Sequence, residues 1–497
     1  MRFPVRLDRL DDVVGQAVEG RVRNHHRRRL ERLGHGAQVD PPEDGSLWAA
    51  GEPLPRHGCE LDVLIDGEHA LGAIASALGA ARSHVHIAGW HVTPGFGLVR
   101  DGTAPRLREV LAELAERVEV RVLVWAGAPL PVFTPSRSEV RDAVQELTRG
   151  TSIRSALDSH ERPMHCHHEK LVIVDGEVAF VGGIDLTSLG GDRFDTSEHE
   201  MRSRLGWHDA CVRLRGPAVA DVAEHFTARW SEAAGERLAS APPASSPPRS
   251  PPPAAAPNGR PTHTVQVVRT LPERIYGFSP RGEFRILEAY RRALRGARRL
   301  IYIENQFLWS PQIVEILAAK LRDPPDPAFR LIVLLPAKPN NGADSTRGQL
   351  GVLAAADDGA HRFLAATISS RTGALTGPLY VHAKIAIVDD AWLTIGSANL
   401  NDHSLFNDTE MNVVCQDQQL VRDTRLRLWA EHLEMTVDDV AGDPAVVFDE
   451  RWRPLARAEL ERRRRGEPPQ RRLLELPGVS RRTKALLGPL DSLLVDG

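Results

Sequence analysis

One block of the chain occurs twice. HHEKLVIVDGEVAFVGGIDL (residues 167–186) aligns without a gap on VHAKIAIVDDAWLTIGSANL (residues 381–400), so that His168 matches His382, Lys170 matches Lys384, Asp175 matches Asp389 and Gly182 matches Gly396. Upstream, VHIAGW (85–90) matches IYIENQ (301–306), and VRVLVW (120–125) matches RLIVLL (330–335). A repeat of this length requires two copies of one supersecondary module. Between the copies lies ASAPPASSPPRSPPPAAAPNGRP (239–261), which has little to bury and favours extended polyproline conformations. The expected organisation is therefore a basic helical segment over 1–55, a first half over 56–236, a linker over 237–262, a second half over 263–440 and a basic segment over 441–497.

The short β-branched runs read as buried strands, and LREVLAELAERV (107–118) between them has helical apolar spacing. AVADVAEHFTARW (218–230) and LVRDTRLRLWAEHL (420–433) supply further helices. The predicted fold class is α/β: two pseudo-symmetric halves, each a mixed β-sheet flanked by helices, with the site at their interface. Within each block, His and Lys sit two residues apart on a predicted strand and share a face. Asp175-Gly176 and Asp389-Asp390 are turn signals, so each block reads as a β-hairpin. Folding it returns residues 182–185 alongside His168, and residues 396–399 alongside His382.

Each half thus offers an imidazole, an ammonium, small residues and a polar tip at Asp185 or Asn399. These groups suit a phosphodiester: lysine supplies charge and donors, glycine allows close backbone approach, and Ser or Asn supplies neutral donors. Two facing histidines could act from both sides of phosphorus, one attacking while the other protonates the leaving alcohol.

The doubled pattern resembles the phospholipase D superfamily, marked by two copies of H-x-K-x4-D, each followed by a G-[GS]-x-N-like tip. DRFDTSEHE (192–200), WHDACVRLRGPAVADVAEHFTARW (207–230), IYIENQFLW (301–309) and FNDTEMNVV (406–414) extend the likeness to eukaryotic-type phosphatidylcholine-hydrolysing members, over residues 61–433. The resemblance implies phosphohistidine chemistry without a metal or other cofactor. His168 is the implied nucleophile and His382 the general acid, the reverse order remaining open. Lys170 and Lys384 hold phosphate with Asn399, Ser397 and Gly183, and Asp185 is a further candidate although its charge would repel phosphate. Asp175 and Asp389 complete the catalytic motif, with structural or inter-half hydrogen bonds as their expected task. Asp209 and Glu410, at the starts of DACVRL and EMNVVC, match acids that bond the two histidines in the family, with Glu200 the alternative in the first half.

The implied substrate is a phosphatidylcholine-like glycerophospholipid at a membrane surface, by hydrolysis or transfer to an alcohol. A cardiolipin-synthase-like transferase, a nuclease and a membrane-binding scaffold are the rivals. Sixty-three Lys plus Arg against 66 Asp plus Glu, a net charge of −3, lend a nuclease little support, and the intact His and Lys pairs argue against a scaffold. Scattered Cys59, Cys166, Cys211 and Cys415, an acid-bearing start and no long apolar run lead us to expect a monomeric cytoplasmic protein, peripheral at the membrane.

Four smaller readings complete the set. The run His165-Cys166-His167-His168 alternates faces and makes a poor common metal site. Trp90, Trp207 and Trp309 read as core, and Asn305 and Gln306 as strand-end residues near the site. The basic runs near Arg23 and Arg462 read as solvated helix faces. LPGVSRRTKALL (476–487) lacks the second glycine of a helix-hairpin-helix turn.

Overall fold

The computed structural model describes residues 4–100, 104–130, 133–238, 256, 258–339 and 343–476. Most of the Pro-rich linker, and residues 477–487 of the hairpin-like motif, lie outside the described residues. The sheet of the first half contains β1 (Arg56–Ile65), β2 (His84–Gly89), β3 (Glu119–Trp125), β4 (Arg154–Asp158), β5 (Leu171–Val174), β6 (Val178–Gly182) and β7 (Ala210–Arg215). That of the second half contains β8 (His263–Leu271), β9 (Leu300–Glu304), β10 (Arg330–Leu334), β11 (Phe363–Thr372), β12 (Ile385–Val388), β13 (Trp392–Gly396) and β14 (Glu410–Cys415).

The first sheet runs β4-β3-β2-β5-β6-β7-β1, parallel across β4-β3-β2 and antiparallel thereafter. The second repeats it as β11-β10-β9-β12-β13-β14-β8, with the same parallel and antiparallel steps. Pairing of Arg56 with Val265 and of Cys59 with His263 joins the two sheets. The α/β reading with two matching mixed sheets therefore holds.

Every residue of β5 and β12 is buried, which is why these strands read as continuous apolar runs. Leu171 and Ile173 enter a core shared with Ile385 and Ile387 of the other half and with the helices Ala218–Ala234 and Gln418–Leu433. Val172 and Val174 face the opposite way, beneath the helices Asp66–Gly79, Leu107–Leu114 and Arg137–Thr148. Each such side chain withdrawn from water contributes about 1.5–3 kcal/mol.

With both faces apolar, hydrophobic pattern alone specifies strand register weakly, and turn geometry must do so. Asp175 and Gly176 adopt φ of 56° and 66°, and Asp389 and Asp390 adopt 53° and 51°. The first turn closes with the Glu177 N–H on the Val174 carbonyl at 3.0 Å. Asp175 also accepts the N–H groups of Arg82, Ser83 and His84 at 2.7–3.0 Å, at the start of β2. Asp389 accepts those of Arg298, Arg299 and Leu300 at 2.7–2.8 Å, at the start of β9. These bonds stay within one half and lie at the opposite end of the strand from the histidine. They correct the inclusion of both aspartates in a catalytic set, and the inter-half alternative, in favour of a structural clamp.

The basic helix Pro4–Leu33 is not simply a solvated face. Arg29, 6% exposed, donates to Glu273 Oε1 at 3.0 Å, to Asn407 Oδ1 at 2.9 Å and to the Phe406 carbonyl at 2.9 Å. His26 stacks on Phe406 with ring centroids 3.9 Å apart. Pairing with acid and carbonyl permits the burial that the charge run seemed to forbid. Trp90, Trp207 and Trp309 are buried, as expected.

Replacing Asp389 by alanine removes the acceptor of three N–H groups and is expected to destabilise the chain by about 1–2 kcal/mol, with asparagine recovering part. An unchanged urea midpoint in Asp389→Ala would refute the clamp.

Candidate active site

His168–Lys170 and His382–Lys384 lie just before β5 and β12 rather than on them, outside the ladder hydrogen bonds. Their backbones are held from the other half. The N–H groups of His168 and Glu169 donate to the Thr409 carbonyl at 2.9 and 3.1 Å, and those of His382 and Ala383 to the His208 carbonyl at 2.8 and 3.1 Å. Thr409 and His208 immediately precede Glu410 and Asp209. A short strand, Gly206–His208, runs parallel to Leu375–Val381 and brings the His208 end to His382.

The same crossing recurs in the side chains. His168 Nδ1 lies 3.0 Å from Glu410 Oε1, and His382 Nδ1 lies 2.6 Å from Asp209 Oδ2. The sequence identified both acids but not the exchange between halves. Glu200, the alternative acid, is exposed. With Nδ1 of each imidazole directed at an acid, Nε2 is the ring nitrogen directed elsewhere.

Lys170 Nζ donates to the His168 carbonyl at 2.6 Å. Lys384 Nζ and Asn399 Nδ2 both reach Gln306 Oε1, at 3.2 and 3.3 Å, while Gln306 Nε2 donates to the Tyr380 hydroxyl at 3.0 Å. Gln306 therefore joins the site. Asn305 instead accepts the N–H groups of Phe307 and Leu400, each at 3.1 Å.

Three expected phosphate ligands have other tasks. Asp185 accepts the N–H groups of Trp90, His91 and Leu186 at 3.0–3.2 Å, which occupies its oxygens with backbone donors. The Ser397 hydroxyl donates to Glu410 Oε2, and Ser404, from the helix Asp402–Phe406, donates to Oε1 at 2.5 Å. Gly183 provides space: a Cβ there would fall 2.1 Å from Asp209 Oδ1. The helix bearing Ser404 ends at Phe406, the residue braced by Arg29 and His26.

Arg193 was not singled out from sequence. Fully buried, its guanidinium lies 3.5 Å from the Trp207 ring centroid, and that ring lies 4.3 Å from His382. An arginine inside the motif-bearing DRFDTSEHE segment was the available signal. The histidine run disperses as the alternation of faces requires. His165 Nδ1 meets His403 Nδ1 at 2.9 Å and Asp408 Oδ1 at 3.3 Å, whereas His167 Nδ1 meets Thr409 Oγ1 at 2.8 Å.

Burial dominates the electrostatics. It pushes Glu410 up to about 8, against the pull of Lys170 and the two serine hydroxyls. It also raises Asp209, opposed by Lys384. His382 is held well below its usual value by burial and then by Lys384, Arg193, Lys170 and His168. Lys170, Lys384 and Arg193 make a ready place for an anion. Two oriented imidazoles among cations can transfer a phosphoryl-type group by nucleophilic and general acid catalysis.

Comparison with known proteins gives a consistent result. A family model described as Phospholipase D matches residues 77–206 and 200–314, and one described as Cardiolipin synthase, PLD-like domain, matches residues 290–429. Phospholipase D A of Dictyostelium discoideum is 25% identical over 76% of this chain, and phospholipase D alpha 4 of Arabidopsis thaliana is 26% identical over 76%. The matches span 36% and 66% of those relatives' own lengths. The crystal structure of phosphatidylserine synthase from Haemophilus influenzae shares the fold, with a TM-score of 0.52 and 11% identity over 76% of this chain and 88% of that one.

Glu410 also predicts a pH effect on stability. Its raised value, from an ordinary 4.5 to about 8, means that the folded chain binds more protons there than the unfolded chain between those limits. Its contribution to stability is full below pH 4.5 and is lost as pH rises through about 8. The melting temperature of the wild type minus that of Glu410→Gln should fall across this window. A pH-independent difference would contradict the assignment.

Proposed function

We propose that this chain, which belongs to the phospholipase D superfamily, cleaves the distal phosphodiester of a phosphatidylcholine-like glycerophospholipid through a covalent phosphohistidine. The observation carrying this reading is the exchanged pair of histidine–carboxylate bonds, His168 with Glu410 and His382 with Asp209, each histidine followed two residues later by a lysine.

In the proposed cycle, the lone pair of His168 Nε2 attacks phosphorus, and the leaving alcohol oxygen takes a proton from His382 Nε2. Glu410 accepts the His168 Nδ1–H and, giving up its own proton as positive charge develops on His168, stabilises that charge. Lys170, Lys384 and Asn399 stabilise the nonbridging oxygens of the five-coordinate transition state. His382 then accepts a proton from water as its oxygen attacks phosphorus, which expels His168 and yields phosphatidic acid. An arriving phosphodiester anion offsets the cations that hold His382 neutral, so the acid gains its proton when substrate is bound.

Transfer of the phosphatidyl group to an alcohol is the second reading, with the alcohol replacing water in the last step. The family model described as Cardiolipin synthase, matching residues 290–429, favours it. Among the described residues no helix is long and apolar enough to cross a membrane, so contact with the lipid surface falls to loops and basic faces.

The test is turnover of phosphatidylcholine vesicles with ethanol and EDTA present, reading choline, phosphatidic acid and phosphatidylethanol. Wild type should form products, and His168→Ala or His382→Ala should lose about three orders of magnitude or more. Phosphatidylethanol that depends on His168 supports the covalent route. Wild-type-like turnover by either folded variant would overturn the mechanism, and cleavage of single-stranded DNA alone would overturn the lipid assignment.

A further inference from the structure

Next to Asp209, but outside the proposed reaction, the fold gathers a second group of ionisable side chains. Asp66 begins the helix Asp66–Gly79, His199 comes from the loop before the short strand Gly206–His208, His208 ends that strand, and Glu431 lies on the second-half helix Gln418–Leu433. The side chains of Asp66, His199 and His208 are buried to 1% exposure or less, and that of Glu431 is 7% exposed. One ligand atom from each of the four lies within 4.8 Å of all the others.

The spacing is that of a small coordination polyhedron. His208 Nδ1 stands 2.8 Å from Asp66 Oδ1 and 3.5 Å from Glu431 Oε1, while His199 Nε2 stands 2.9 Å from Glu431 Oε1 and 3.9 Å from Asp66 Oδ2. A tetrahedron with metal–ligand bonds of about 2.0–2.1 Å has edges of about 3.3 Å, and three separations among Asp66 Oδ1, His208 Nδ1, Glu431 Oε1 and His199 Nε2, at 2.8, 3.5 and 2.9 Å, lie close to it. A carboxylate also lies beside the other nitrogen of each ring. His208 Nε2 is hydrogen-bonded with Glu304 Oε2 at 2.8 Å, the usual support of a metal-binding imidazole, and Asp195 Oδ2 stands 3.1 Å from His199 Nδ1.

Two independent features call for a cation at the centre. Asp66 Oδ2 is buried and has no hydrogen-bond partner among the described residues, a costly state for a carboxylate oxygen. The group also concentrates four acids, Asp66, Asp195, Glu304 and Glu431. Among the described residues Arg202 pairs with Asp195 at 3.1 Å, and Glu304 is shared by His208, His432 Nε2 at 3.0 Å and the Tyr302 hydroxyl. Buried carboxylates require compensating charge.

We propose that Asp66, His199, His208 and Glu431 bind a structural divalent cation, zinc by ligand type and coordination number. Four protein ligands close the shell and leave no position for substrate, so the ion fastens a first-half loop and strand to a second-half helix. Asp66 Oδ1 also accepts the Asp209 N–H at 3.3 Å, and Asp66 N–H donates to the Asp209 carbonyl at 2.8 Å. The ion would thereby brace the acid that orients His382.

The experiment measures zinc by plasma mass spectrometry in full-length protein expressed with zinc, without a histidine tag, and dialysed free of loose metal. Wild type should carry about one zinc per chain, and His199→Gln and Glu431→Gln should lose it. His165→Gln, which alters the separate His165–His403–Asp408 group, should keep it. Stripping wild type with dipicolinate should lower its melting temperature by about 5 °C or more, restored by zinc and not by magnesium. Wild type with less than about a tenth of a zinc per chain, and no shift on adding zinc, would overturn the proposal and leave protons on the histidines as the neutralising charge. Retention of zinc by both variants, or its loss from His165→Gln, would overturn it equally. If the variants do not fold, stripping and refilling the wild type decides.

Discussion

Two bonds between a histidine ring and a carboxylate, each spanning the two halves, govern the rest of the structure. A buried carboxylate is tolerated where a partner offsets the loss of water, and for Glu410 and Asp209 the histidine partner comes from the opposite half. His168 leans on Glu410 and His382 on Asp209. The backbone repeats the arrangement through the Thr409 and His208 carbonyls. Neither half therefore contains a complete histidine site, and the apolar core shared by Leu171, Ile173, Ile385 and Ile387 holds the halves close enough for each to complete the other.

Much of this architecture was legible because it is local and doubled. The four-residue runs LVIV and IAIV, their aspartate turns and the glycines after them specify hairpins, and the repeat requires two sheets of the same order. The exchange of acids was not legible: a period-two pattern says which face a side chain leaves, but not which strand end stands opposite. Asp175 and Asp389 belong to the recognisable motif, yet they serve the backbone at the far end of their strands. Asp185 stands at a tip that suits phosphate, yet three backbone N–H groups occupy its oxygens. The burial of His26 and Arg29 was hidden for another reason, since charge runs carry no sign of partners more than 200 residues away.

Electrostatics in this interior result from competition between burial and pairing. Burial alone would silence every carboxylate, and Glu410 shows that tendency most clearly. Lysines and hydroxyls oppose it, and the same lysines drive His382 toward its neutral form. An anion offsets the cations beside His382, which ties the proposed substrate class to the charges that surround the site. Gln306 contributes by holding Lys384 and Asn399 on one oxygen, so the cation and the amide approach a ligand as one unit.

The two copies solve one space-filling problem in different ways. The first half combines a shorter acid with glycine, Asp209 against Gly183, and the second a longer acid with serine, Glu410 against Ser397. A side chain at 183 would collide with Asp209, while glycine at 397 would deprive Glu410 of a donor. A single exchange in either couple therefore carries its own penalty, and mixing the couples would produce a clash in one half and a gap in the other.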